Sequence, residues 1–288
     1  MALIGDAAFR AGDLVLARRI YRAILLRVPT AAHIQARLGL ADTPHKDGAV
    51  LLDALASLET RGAPAFISDG LATWKKTLPF LEYPRFVDLV AHHASLLPIP
   101  NWHWNLQTVV WAIEQTRNLE GDFVELGVFR GHTTLFCAEL VGFRDWPKTW
   151  WLYDTFEGIP ADQLDAGWAE KNAAAYGPEM FSFEEVRDRL AHIPNIRVIK
   201  GRVPEVLDQQ LPEAISFLHM DMNNATAEIA ALEKVFDRIV PGGVIVFDDY
   251  MWAAARTQYL AEKAWFAERG LVVLPLPTGQ GVFMKGFR

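Results

Sequence analysis

The sequence predicts an α/β fold, in which a Rossmann-like sheet ends in an antiparallel hairpin and follows an all-helical N-terminal region. Three observations carry this expectation. From about residue 119, short and nearly continuous apolar runs alternate with helical segments, the pattern of parallel strands buried on both faces. The chain closes with LVVLPLP, the turn TGQG and VFMKG; two strands with no helix between them pair antiparallel at a sheet edge. The first hundred residues show helical periodicity and no convincing strand.

Within residues 1–45, AGDLVLARRIYRAILLRVPTAAHIQARLGLA resembles a fragment of a tetratricopeptide repeat. Gly12, Ala17, Tyr21 and Pro29 fall near that spacing, and Leu38-Gly39 would open the next helix pair. A solenoid needs about three such units and this segment holds barely one. A helical hairpin is therefore expected, serving packing or self-association into a homo-oligomer. Residues 46–118 read as a helical cap or lid punctuated by Pro64, Pro79 and Pro84. Residues 119–288 form the third region, with strands expected at FVELGV (123–128), WWLYDT (150–155), IRVIKG (196–201), ISFLHMD (215–221) and GGVIVFDD (242–249). After the fourth strand, Ile229, Leu232, Val235 and Ile239 keep helical spacing, and a helix over 253–269 follows the fifth.

Composition excludes several classes. A formal net charge of −7 argues against nucleic acid as a partner, because phosphate binding needs a clustered basic face. No uninterrupted apolar run reaches the ~18–20 residues that span a bilayer. The N-terminal MALIGDAAFRAGD has no basic n-region of a secretion signal, and a cytoplasmic location is expected. The single cysteine, Cys137, lies in the apolar run LFCAEL and is expected to be a buried structural thiol.

Ligands of an open α/β sheet sit beyond the carboxyl ends of its strands. After the first strand comes Glu125-Leu-Gly127-Val-Phe-Arg-Gly131. Glycines at 127 and 131 let backbone approach a ligand, and the next helix begins with unpaired N–H groups. The spacing ExGxxxG differs from the GxGxxG of dinucleotide binders, and suits a cofactor whose charged end is an amino acid rather than a pyrophosphate. Glu125 is expected to hold its ammonium group, and Thr133 with nearby amides its carboxylate. Asp154, ending the second strand, is expected to accept both ribose hydroxyls; Gly201 and Arg202, after the third, would line the adenine. S-adenosylmethionine is the cofactor this constellation leads us to expect. Five βα units with a terminal hairpin is also the order of the class I methyltransferase sheet, whereas a dinucleotide dehydrogenase continues with parallel units.

Asp221 ends the fourth strand, and Asp248 and Asp249 the fifth. Three carboxylates at neighbouring strand ends repel one another unless a cation offsets them, and oxygen-only ligands suit a hard ion such as Mg²⁺. Residues 156–181 make a long connection with Trp168 and Tyr176, of a length associated with lids. His103, in IPNWHWNLQ, could border the site, although packing beside its tryptophans is the simpler expectation. Gln280 in the terminal turn is a candidate acceptor contact.

GDFVELGVFRGHTTLF, DTFEGIP, LHMDMNNAT and PGGVIVFDDY resemble the macrocin-type (TylF-like) O-methyltransferases that act on sugars of macrolides and aminocoumarins, over roughly residues 102–286. The resemblance implies metal ligands at Asp221, Asp248 and Asp249, cofactor contacts at Glu125, Gly127, Gly131 and Asp154, and a small-molecule or glycosyl acceptor of secondary metabolism. This sequence departs from the family's DxD after the fourth strand: it reads Asp221-Met-Asn223-Asn224-Ala225. Related metal-dependent enzymes often carry a lysine or histidine where Asn224 stands, and an amide is no base. Proton removal is then expected of Asp221, then Asp248, then His103. Two other functions fit the sequence: a metal-independent N- or O-methyltransferase, and an interaction protein on a degenerate methyltransferase fold.

Overall fold

The computed structural model describes residues 1–28, 31–42, 48–60, 65–74, 76–96, 102–164 and 181–286. They divide into two compact units, 1–107 and 108–288.

The first unit begins with α1 (Ala2–Arg10), α2 (Leu14–Leu25), α3 (Ala32–Asp42) and α4 (Gly48–Thr60). Asp13 starts α2 by accepting the Leu16 amide at 2.9 Å, satisfying one of the orphan donors of a helix start. Ala17 and Tyr21, two positions of the repeat-like spacing, are fully buried with Phe9, Ile34 and Leu52. Pro29 lies outside the described residues, and Leu38-Gly39 falls inside α3 rather than opening a new pair. Asp6 is buried because it is paired: it accepts from the Tyr21 hydroxyl at 2.8 Å and from Arg37 Nε at 2.9 Å.

The N-terminal region is not wholly helical. Two short strands, β1 (Ala65–Ser68) and β2 (Leu71–Trp74), pair antiparallel around Asp69-Gly70. Both turn residues have positive φ, 55° and 69°, as a two-residue hairpin turn requires. Asp-Gly between AFIS and LATW carries that signal, which helical periodicity obscured. The turn also starts the helix α7 (His103–Thr116): Asp69 accepts the Trp104 and Asn105 amides at 2.9 and 3.1 Å, and Ser68 Oγ the His103 amide at 3.1 Å. Between them lie α5 (Pro79–Glu82) and α6 (Pro84–His92), each with proline in its first turn, where a missing N–H costs nothing.

The second unit is built on a seven-stranded sheet of β3 (Asp122–Leu126), β4 (Trp150–Asp154), β5 (Ile196–Lys200), β6 (Ile215–Met220), β7 (Ile239–Phe247), β8 (Leu274–Pro275) and β9 (Gly281–Met284), in the order β5-β4-β3-β6-β7-β9-β8. Strands β3 to β7 are parallel, and β9 and β8 close the edge antiparallel. This is the class I methyltransferase sheet expected from the sequence. Its helices include α8 (His132–Val141), α9 (Phe183–Leu190), α10 (Ala225–Val235) and α11 (Arg256–Glu268). One boundary differs. Ile239 does not continue α10: the helix ends at Val235, a single tight turn covers Phe236–Arg238, and Ile239 opens β7. Helical spacing and a buried strand start both place an apolar side chain there, so periodicity alone could not separate them. Cys137 is buried and unpaired, as expected.

No helix among the described residues is long and apolar enough to cross a membrane. Strand order reverses between β4 and β6, which flank β3, so the ligand crevice is expected beyond the carboxyl end of β3.

Candidate active site

The strand ends are locked together by backbone hydrogen bonds. Gly127 N–H donates to Tyr153 O at 2.9 Å, Asp221 N–H to Leu126 O at 2.8 Å, Asp248 N–H to Met220 O at 2.9 Å and Gly201 N–H to Asp154 O at 2.9 Å. Gly127 has φ +86°, and a Cβ there would stand 2.0 Å from the Asp221 carbonyl oxygen. Only glycine lets β3 and β6 approach this closely. Gly131, φ +68°, is the residue before α8; having no side chain, it leaves that helix's first-turn amides uncapped, as an anion site requires.

Glu125 is buried and engaged on both oxygens: Oε1 pairs with His219 Nδ1 at 2.9 Å and Oε2 accepts from the Thr134 hydroxyl. A carboxylate has about four acceptor sites, so capacity remains for an ammonium group. His219 lies beside Glu125 in register on β6. Its Nε2 stands 3.7 Å from Asp248 Oδ1, too far for a hydrogen bond but close enough for charge attraction. Burial pulls the His219 pKa down, yet Asp248 and Glu125 outweigh it and hold the imidazole well above its ordinary value. Sequence reasoning missed His219 and Thr134. The available signal for His219 was an ionisable residue inside the mostly apolar strand ISFLHM.

Thr133 is buried in the first turn of α8. Asp154 Oδ2 accepts the Val128 and Phe129 amides, and Oδ1 that of Phe156. Gly201 follows β5 directly, whereas Arg202 pairs with Asp162 and Glu205 in an exposed ion cluster. Of the long connection, Trp168 and Tyr176 lie outside the described residues.

Asp221, Asp248 and Asp249 do gather at adjacent strand ends. Asp221 keeps part of its surface exposed, and its Oδ1 accepts from Asn223 Nδ2 at 3.0 Å. Burial, then the charges of Asp248 and Asp249, push the Asp221 carboxyl well above the usual range. Burial, then Asp248 and Glu228, do the same to Asp249. Glu228 and Glu262, a fully buried pair absent from the sequence expectations, stand on α10 and α11. Glu228 Oε1 accepts the Met222 amide at 3.1 Å and Oε2 accepts from Gln258 Nε2 at 3.0 Å. Glu228 thereby fixes the loop that follows Asp221. Burial raises both carboxyls, that of Glu262 to about 7.

As a donor set, three carboxylates suit a hard cation. Their placement does not form a ligand sphere: among the described residues no group of three or more His, Cys, Asp or Glu side chains is disposed to hold a metal ion. Asp248 is instead turned toward His219 and toward Gln280 Nε2, 3.5 Å away.

Two other expectations change, at Gln280 and His103, and Asn224 gains a structural role. Gln280 is fully buried, so it braces Asp248 and has no surface to offer an acceptor. Asn224 is the cap of α10, its Oδ1 accepting the Ala227 amide at 2.7 Å, which accounts for an amide at that position. His103 is 2% exposed, among Phe66, Phe80 and Phe86, with Nδ1 3.3 Å from Ser68 Oγ. Burial lowers its pKa to about 4, and an enclosed ring cannot reach an acceptor proton. His103→Ala is therefore expected to cost about 2–4 kcal/mol of stability through the cavity it leaves while kcat stays within about threefold of wild type. Thermal melts with steady-state kinetics check this, and an intact melt with lost turnover would restore the base role.

Comparison with known proteins agrees with this fold. The family model for macrocin-O-methyltransferase (TylF) matches residues 103–269. The chain is 26% identical to 8-demethyl-8-(2,3-dimethoxy-alpha-L-rhamnosyl)-tetracenomycin-C 4'-O-methyltransferase of Streptomyces olivaceus, over 70% of this chain and 78% of that protein. It is also 26% identical to demethyldecarbamoylnovobiocin O-methyltransferase of Streptomyces niveus, over 46% of this chain and only 54% of that relative. Among solved structures, the O-methyltransferase NovP superposes with a TM-score of 0.53 at 22% identity, covering 64% of this chain and 78% of NovP. The family match runs from the start of α7 through α11 and so contains β3 to β7 with every carboxylate of the site; the chain belongs to the macrocin-O-methyltransferase (TylF) family.

Proposed function

We propose that this methyltransferase moves the methyl group of S-adenosylmethionine to a hydroxyl of a small-molecule or sugar-like acceptor of secondary metabolism. The observation that carries the proposal is the Glu125–Gly131 turn at the point where strand order reverses, with Asp221, Asp248 and Asp249 at the adjacent strand ends. The nature of the acceptor is supported by what the relatives' names say they methylate.

Methyl transfer from a sulfonium is an in-line displacement, so the protein's main task is alignment. Glu125 and the first turn of α8, with Thr133, hold the amino-acid end of the cofactor. Gly127 and Gly131 let the backbone reach it, and Gly201 lies on the adenine side with Arg202 at the rim. Asp221 first, and Asp248 after it, would take the acceptor's proton.

The finer part of the proposal is a hard divalent cation, Mg²⁺, held by Asp221, Asp248 and Asp249. Its support is electrostatic: three like charges in a partly dry cleft call for a counter-charge. When bound, such an ion lowers a hydroxyl's pKa and fixes its orientation. The unconverged placement of the three side chains favours a second reading, the metal-independent methyltransferase.

Calorimetry with S-adenosylhomocysteine should show binding, with none for NAD. A charge-assisted hydrogen bond is worth about 1.5–3 kcal/mol, so Glu125→Ala should weaken binding about tenfold or more. Labelled S-adenosylmethionine with a panel of deoxysugar glycosides should give methylated product. EDTA should stop turnover and spare cofactor binding, and Mg²⁺ should restore it. Full turnover in EDTA would establish the metal-independent reading, and absent cofactor binding would sink both.

A further inference from the structure

Two phenylalanines, one in the cofactor turn and one just after β4, hold a backbone conformation that bulky residues avoid. Phe129, inside the Glu125–Gly131 turn, has φ 50°; Phe156, two residues after β4, has φ 53°. The left-handed region is a genuine outlier for a side chain of this size, and it persists only where the surroundings enforce it.

One side chain enforces both. Asp154 Oδ2 accepts the Val128 amide at 2.7 Å and the Phe129 amide at 2.9 Å; Oδ1 accepts the Phe156 amide at 2.8 Å. The Thr155 hydroxyl gives its proton to Gly158 O at 2.7 Å rather than to Oδ1, 3.5 Å away. The two rings then pack around Phe181, with centroids 4.7 Å from Phe129 and 6.2 Å from Phe156. Asp154 is thus a clasp between the β3 and β4 turns.

This arrangement conflicts with the role expected from sequence. A carboxylate that grips a vicinal diol needs a vacant lone pair on each oxygen. With two acceptor sites per oxygen, Oδ2 has both filled by amides, and only Oδ1 retains one. We propose that Asp154 is a positioning residue: it holds Phe129 and Phe156 left-handed, and so builds the adenosyl pocket, while recognition of the ribose hydroxyls does not depend on it. The proposal rests on the S-adenosylmethionine reading above.

The test is calorimetry of wild type and Asp154→Asn with S-adenosylhomocysteine and its 2′-deoxy and 3′-deoxy analogues. Asparagine keeps the size but offers one oxygen, so a turn loses its acceptor. All three ligands should weaken by a common factor, the penalty for each missing hydroxyl agreeing between the two proteins within about twofold, the scatter of independent sites. A deoxy penalty of about tenfold or more in wild type that vanishes in Asp154→Asn would overturn the proposal. Should the variant bind too weakly to compare, Phe129→Gly/Phe156→Gly supplies a second measure. Glycine adopts the left-handed region freely, so Asp154→Asn should cost about tenfold less affinity in that background than in wild type. An undiminished cost overturns the proposal as well. Wild type that binds none of the three ligands would instead remove the cofactor reading, and this proposal with it.

Discussion

Gly127→Ala should abolish detectable binding of S-adenosylhomocysteine and lower the stability of the protein by roughly 2–5 kcal/mol. The estimate adds about 1–2 kcal/mol for a left-handed alanine to about 1–3 kcal/mol for overpacking. The clash is with backbone, since the new Cβ would meet the Asp221 carbonyl oxygen at 2.0 Å and its carbon at 2.5 Å, and neither can rotate away. Relief requires β3 and β6 to part where Asp221 N–H bonds to Leu126 O, which displaces the cofactor turn and the first carboxylate together. For a domain of this size each kcal/mol moves Tm by about 2–4 °C, so a fall of roughly 4–20 °C is expected. Gly131→Ala is the control. Its Cβ would meet only Val186 and Leu190 side chains, at 3.1 and 3.4 Å, which can yield. A melting loss in Gly131→Ala equal to that in Gly127→Ala would show that close backbone approach is not what Gly127 provides.

Much of this site was legible because strand ends are where sequence pattern and function coincide. β3 to β7 announce themselves as apolar runs, so the residues that end them, Gly127, Asp154, Gly201, Asp221 and Asp248, could be named from the chain alone. What lies between those points is decided by side-chain partners that spacing does not encode. Glu125 and His219 are 94 residues apart in the chain and meet only because β3 and β6 are neighbours. Glu228 reads as a polar position on an amphipathic helix, yet it is fully buried beneath the loop that it clasps through Met222. His103 and Gln280 failed as contacts for a related reason: sequence placed them near the active face but could not show that each is enclosed. The β1–β2 hairpin was missed where a two-residue Asp-Gly signal competed with helical spacing on both sides.

Asp221→Asn should lower kcat by about 10²–10⁴-fold, the range for loss of a proton-transfer group, Asp249→Asn should lower it by weakening the proposed cation site, and each should make the ligand-free protein more stable. The two effects have one origin. Both carboxyls lie where burial and neighbouring carboxylates disfavour the charged form, so their ionised state works against the fold at neutral pH. Asparagine keeps the size and the acceptor oxygen that Asn223 Nδ2 engages at Asp221, and removes the charge. A gain of about 1–2 kcal/mol is expected, the scale on which strained functional sites exchange stability for activity. Asp248→Asn should behave differently. Its carboxylate faces His219 at 3.7 Å and Gln280 at 3.5 Å, so its removal leaves a buried, charged imidazole with one partner fewer. Breaking a buried pair is destabilising, by about 3–5 kcal/mol at the upper end, and Asp248→Asn should lose stability as well as turnover. Denaturant melts in EDTA with parallel kinetics decide the matter. If all three variants lose stability alike, the carboxylates are structural pairs rather than a charge cluster held for chemistry; a stable Asp221→Asn with undiminished kcat would move proton removal away from Asp221.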